Sequence, residues 1–129
     1  MNNKFYVSLE TAKLLKEKGY NEECTTIYDC LFKEIIPAIS VGLYRNECMR
    51  NDYYCSAPTK AEAIDWLDSK GIVVIVDISF SDGTWIYSIY REGEHLYDSI
   101  ISKESCFSTR LESEEAAIIK TCELLENGN

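Results

Sequence analysis

Basic residues are in short supply: 13 Lys and Arg stand against 22 Asp and Glu, for a formal charge of −9 at pH 7. That balance argues against a direct nucleic-acid binder, because a phosphate backbone is met with clustered cations. Proline and glycine are scarce as well, two and six in 129 residues, which excludes a collagenous chain and a low-complexity linker. There is one histidine and no Cys-x-x-Cys pair. Zinc sites usually bring two closely spaced ligand pairs, so no metal is expected. No glycine spacing matches a phosphate-cradling loop or a dinucleotide fingerprint, and no cofactor is implied. The most apolar stretch, Ile35 to Tyr44, is broken by Pro37 and Gly42. It falls far short of the ~20 residues of a membrane helix. Met1 to Tyr6 lacks the apolar core of a secretory signal, so the expectation is a cytoplasmic protein without a membrane segment.

What is present suits a core. Hydrophobic residues make up 46% of the chain, and its length fits a single domain over residues 1–129. Six cysteines stand at 24, 30, 48, 55, 106 and 122. In an unexported chain they are expected as reduced thiols, several of them buried as small hydrophobes. Cys122, among Ile118, Ile119 and Leu125, has a core address, whereas Cys48 and Cys55 flank a polar loop and are expected to be exposed.

Three helices are signalled. The first runs from about Ser8 to Lys18, with Ser8 as cap, Leu9, Ala12 and Leu15 on one face, and Gly19 as the left-handed stop. The second starts at Thr59-Lys60-Ala61-Glu62, which has capping-box form, and stops at Gly71. The third covers about Arg110 to Glu126, with Leu111, Ile118, Cys122 and Leu125 on one stripe. Thr25 to Phe32 reads as a strand. Ile35 to Tyr44 reads as another, held to an edge or a bulge by Pro37, and Arg45 to Asp52 reads as a loop.

Ile72 to Phe80 and Thr84 to Arg91 flank Ser81-Asp82-Gly83. A two-residue Asp82-Gly83 turn pairs Phe80 with Trp85, Ile78 with Tyr87 and Val76 with Ile89, leaving one face almost wholly apolar. A three-residue loop would set Tyr87 opposite Asp77 and mix the faces, so the tight turn is preferred. Glu92-Gly93-Glu94 turns the chain again, into His95 to Ile101. Leu96 and Ile100 then stay on the apolar face, while His95, Tyr97 and Ser99 join Ser88 and Tyr90 on the other. The fold expected is α+β: an antiparallel sheet with a β-meander over residues 72–101, packed on one face by about three helices.

Three segments, Leu9 to Cys24, Ser56 to Gly71 and Glu112 to Glu126, together carry a family likeness. Their pattern, with A-P-T-x-x-x-A-x-x-W-L at Ala57 to Leu67 and an E-E-A-rich last helix, resembles short proteins of phages, prophages and mobile elements of gut Bacteroidales-type bacteria. The resemblance covers most of the chain, but its motifs are capping and core signals. It implies an accessory protein of the bacterial cytoplasm and carries over no activity and no catalytic residue.

Chemical signals are few. His95 is the only imidazole available to acid–base chemistry at neutral pH, and Cys106 is one thiol the fold could bring to it. No nucleophile signature surrounds any cysteine, so no catalytic constellation is assigned. Glu112, Glu114 and Glu115 are explained by a helix N-terminus, and Ser81-Asp82-Gly83-Thr84 by a hairpin turn. The nine tyrosines carry more weight, since a small core cannot satisfy every hydroxyl. Tyr90 and Tyr97 are expected on the open sheet face, and Tyr53 and Tyr54 cannot both point inward. The candidate recognition surface is therefore Asp77, Ser88, Tyr90, His95 and Tyr97, with Arg45, Arg50, Tyr53 and Tyr54 as a second candidate. The alternatives are that these tyrosines pack on a neighbouring helix or on a second protomer. The function expected is a non-enzymatic interaction protein whose acidic, Tyr-bearing surface binds a host or phage protein, a basic one being steered by the −9 charge. The alternative is a binder that sequesters a nucleotide-like signal against host defence, with Arg91, Arg45 or Arg50 as its cationic contact.

Overall fold

The computed structural model describes residues 3–49, 52–99 and 107–128, with side chains through Leu125. Its contacts divide the chain into two compact units, Met1–Thr59 and Lys60–Asn129. No helix among the described residues is long and apolar enough to cross a membrane. The class is α+β: three helices and two three-stranded antiparallel sheets. The sheet expected as one is thus two.

The first unit holds α1 (Leu9–Glu17), β1 (Thr26–Asp29), β2 (Glu34–Pro37) and β3 (Tyr54–Ser56), with strand order β2-β1-β3. Ser8 caps α1 as its sequence suggests, its Oγ accepting from the Thr11 N–H at 3.2 Å. Ala12 and Leu15 on the inner face are fully buried, and α1 packs on β3. Pro37 ends the edge strand β2, and the chain then enters a single 3-10 turn, Ala38–Ser40, so the strand expected to reach Tyr44 is short. β3 lies just past the expected loop and was not foreseen. What ties it in is a buried side chain. Asn46 donates from Nδ2 to the Tyr20 carbonyl at 2.7 Å and accepts from the Ser56 N–H at 2.9 Å. Cys24, Ile27, Ala38 and Met49 form the core beneath, with Ile36, Leu43 and Tyr54 packed against it.

The second unit holds α2 (Lys60–Ser69), β4 (Ile72–Ile78), β5 (Trp85–Arg91), β6 (Glu94–Asp98) and α3 (Arg110–Gly128). β4-β5-β6 is the expected meander. Two helices of this unit pack on it: α2 meets β4, and α3 meets β4 and β5. Ala63, Trp66 and Leu67 of α2 and Ala117, Ile118 and Cys122 of α3 are buried, as are Ile72, Tyr87 and Ile89 of the sheet. Each large side chain among these contributes about 1.5–3 kcal/mol on full burial. A capping box starts α3. Thr109 Oγ1 accepts from the Glu112 N–H, and Glu112 Oε1 accepts from the Thr109 N–H, both at 3.1 Å. Hydrogen bonds from Ser108 and Thr109 hold the Glu112 carboxyl below its ordinary range.

Two details of the meander differ from expectation. The β4–β5 register pairs Ile78 with Trp85 and Val76 with Tyr87, two residues away from the expected pairing. A shift of two preserves which side chains share a face, so the apolar face survives. The turn does not. A tight Asp82-Gly83 turn needs both residues at positive φ, and only Gly83 has it, at +73°. The loop instead spans residues 80–83, closed by the Ser79 N–H to the Thr84 carbonyl at 2.7 Å. Asp82 Oδ1 accepts from both the N–H and the hydroxyl of Thr84. Phe80, expected on the core face, lies in this loop at 93% exposure.

The second turn is tight: Arg91 pairs with Glu94 across Glu92 (φ +51°) and Gly93 (φ +83°), the type I′ signature. Beyond it comes a bulge. Tyr90 pairs with His95 but Ile89 pairs with Tyr97, leaving Leu96 as the extra residue. From there the faces of β6 are exchanged. Tyr97 and Ser99, expected on the open face, turn to the helix-packed one. Ser99 is buried, its N–H bonded to the Tyr87 carbonyl and its Oγ accepting from the Tyr87 N–H. Ile100 lies outside the described residues.

Candidate recognition surface

On the meander, residues alternate between the face packed by α2 and α3 and the face turned away from them. Val73, Ile75 and Asp77 of β4, Ile86, Ser88 and Tyr90 of β5, and His95 and Asp98 of β6 share the second face by register. Four of the five expected surface residues, Asp77, Ser88, Tyr90 and His95, are therefore brought together. Next to the Glu92-Gly93 turn, Tyr90 and His95 are a direct cross-strand pair, their ring centroids 5.2 Å apart and tilted by 51°. Val73 and Ile75 are 41% and 47% exposed beside them. Asp98 stands across from Ser88, whose hydroxyl donates to Asp98 Oδ2 at 2.9 Å, and His95 Nε2 lies 3.7 Å from the same oxygen.

The fifth residue, Tyr97, is excluded by the bulge. Its ring stacks on Tyr87, 5.8 Å apart at 22°, and Lys120 Nζ of α3 lies 4.5 Å from its centre. Tyr97 thus lies on the helix-packed face, apart from the other four. Sequence reasoning missed Val73, Ile75, Ile86 and Asp98 on the open face. The five apolar residues in a row at 72–76 hide an alternation, and nothing local to β6 announces the bulge that turns Asp98 outward.

Ser88, Asp98 and His95 are residue types found in hydrolytic triads, but the connections are wrong for one. A nucleophilic serine must give its proton to the imidazole, whereas the Ser88 hydroxyl bonds the carboxylate. Asp77 Oδ1 accepts from the neighbouring Ile78 N–H at 2.8 Å. What the face offers is recognition chemistry: three aliphatic side chains, an aromatic–imidazole pair and two carboxylates, with no Lys or Arg among its described residues.

The second candidate set is scattered within the first unit. Arg45 donates to the Asn21 carbonyl at 2.9 Å, a structural tie. Tyr53 is exposed, and Tyr54 is half-buried in β3, lining a cleft with Lys13, Lys16, Glu17, Cys30, Asp52 and Cys55. Arg50 and Cys106 lie outside the described residues. Arg91 faces the helices, beside Ile72, Ile89 and Leu96. Cys48 is exposed as expected, but Cys55, expected exposed, is buried inside β3. Among the described residues no cluster of three His, Cys, Asp or Glu could hold a metal ion. Compared with known protein families, curated proteins and solved structures, the chain has no match.

Proposed function

We propose that the chain is a non-enzymatic interaction protein that binds a basic segment of a partner protein across the open face of the meander. The observation that carries this reading is the exposure of Val73 and Ile75 on the same face as the Tyr90–His95 pair, Asp77 and Asp98. Apolar and aromatic side chains beside polar groups are what protein interfaces use. The two carboxylates, unaccompanied by Lys or Arg among the described residues of that face, select a partner segment with basic side chains among apolar ones. The −9 charge of the chain steers the same partner from a distance. The resemblance to phage and mobile-element proteins makes a protein of the bacterial host, or of the element itself, the class of partner to seek.

The test uses the full chain and an Ile75→Lys/Tyr90→Ala variant. Carbodiimide joins a carboxylate to a lysine in direct contact, so it should link Asp77 or Asp98 to a partner lysine. Losing a central tyrosine at an interface typically costs ~2 kcal/mol, about 30-fold in Kd. The variant should therefore lose that partner at a temperature where circular dichroism shows it still folded, and the wild type should lose it as salt rises. A partner retained equally by the variant, or a face occupied by a second copy of this chain in sedimentation, refutes the proposal.

A further inference from the structure

The cleft of the first unit holds two thiols that the reading above leaves unused. Cys30 follows directly on β1, and its N–H donates to the Tyr53 carbonyl at 2.8 Å, which continues the β1–β3 pairing by one residue. Cys55 sits inside β3, opposite Tyr28. The two sulfurs are 3.9 Å apart, in van der Waals contact and with no disulfide between them. They share one wall of a cleft of about 580 Å³, whose other walls bring Lys13, Lys16, Glu17 and Asp52. That volume lies within the range of small-molecule sites. Two ammonium and two carboxylate groups around a dithiol complement a ligand that itself carries both charges.

We propose that Cys30 and Cys55 form a thiol–disulfide exchange site for a low-molecular-weight zwitterionic disulfide, such as oxidised glutathione. The half-buried Cys30 attacks first. Its thiol loses a proton, its Sγ bonds to one sulfur of the ligand, and the ligand's other half departs as a thiolate that takes up a proton. Cys55 Sγ, likewise deprotonated, then attacks Cys30 Sγ. The internal disulfide forms, and the second half of the ligand leaves and is protonated. Two protein thiols are oxidised by two electrons and one ligand disulfide is reduced to two thiols.

The order of events follows from burial. The Cys55 thiol is pushed up to about 12, first by desolvation and then by the charge and hydrogen bonding of Cys30, with Lys16 and Lys13 opposing. Capture of Cys30 in a mixed disulfide removes the Cys30 contribution and leaves desolvation opposed by Lys16 and Lys13, so Cys55 ionises more readily after the first step than before it. The product would tie the end of β1 covalently to β3, closing a loop that contains β2 and Asn46.

Mass spectrometry of the full chain treated with oxidised glutathione decides the matter. The wild type should lose the mass of two hydrogens without keeping an adduct, yield a Cys30–Cys55 linked peptide, and recover both thiols with dithiothreitol. Cys55→Ser should instead retain one glutathionyl group on Cys30, and Cys30→Ser should form no internal disulfide. A wild type that keeps a glutathionyl adduct, that links Cys55 to another cysteine, or that is modified only at Cys48 overturns the proposal. None of these readouts depends on the open face of the meander, so the two proposals fail separately.

Discussion

Tyr90 and Tyr97 were expected on one face of the sheet, and the bulge sets them on opposite ones, which makes their truncation a sharp measurement. Replacing a fully buried aromatic by alanine costs about 3–5 kcal/mol, and the half-buried Tyr97 should forfeit about half of that. Its stack on Tyr87, 5.8 Å apart at 22°, adds about 0.5–1.5 kcal/mol. The Lys120 ammonium, 4.5 Å from the ring centre, adds about 0.5 kcal/mol. Tyr97→Ala should thus destabilise the second unit by about 3 kcal/mol. Tyr90 is half-buried as well but faces away from α2 and α3, with the tilted His95 ring as its aromatic contact and no cation over it among the described residues, so Tyr90→Ala should cost about 2 kcal/mol. Urea unfolding followed by tryptophan fluorescence is the assay, because both tryptophans, Trp66 and Trp85, belong to this unit. With a urea slope of about 1.5 kcal/mol/M, the midpoint should fall by about 2 M for Tyr97→Ala and by about 1.3 M for Tyr90→Ala. Equal shifts, or a larger one for Tyr90, would refute the bulge and return Tyr97 to the open face.

Asn46→Ala should leave the Tyr20 carbonyl and the Ser56 N–H without their buried partner, at about 1–3 kcal/mol for each group. Hydrogen exchange at the Ser56 amide should accelerate by more than tenfold, while amides of β5 keep wild-type protection. The Glu112 carboxyl, held low by Ser108 and Thr109, stabilises α3 in its charged form. A group whose folded pKa is depressed contributes fully above its unfolded value and loses that contribution as pH falls through the folded one. The Tm advantage of wild type over Glu112→Ala should therefore be constant near neutrality and shrink on acidification below the ordinary carboxylate range; an advantage that grows in acid would contradict the cap.

Legibility in the sequence tracked the range of the interactions involved. The Ser8 cap, the Gly19 and Gly71 stops and the stripe of α3 are signals a few residues long, and each marks an element where it lies. The apolar face of β4 and β5 was also readable, because side-chain parity is insensitive to a slip of two. The loop itself was not, since a two- and a four-residue connection give the same alternation. For the candidate surface, Tyr90 and His95 followed from the Glu92-Gly93 turn beside them, whereas Tyr97 and Ser99 lie beyond the bulge and were assigned to the wrong face.

By itself, then, the chain's order of residues determined its class, its helices, the core face of the first two meander strands and an acidic surface poor in cations. Tertiary structure alone decided that there are two sheets, because β3 is a three-residue strand held by β1 and by the Asn46 side chain rather than by its own propensity. It alone decided the bulge, which buries Tyr97 against Tyr87 and turns Asp98 toward Ser88. And it alone set Cys30 against Cys55, 25 positions apart, since strand pairing joins residues by register and not by distance along the chain.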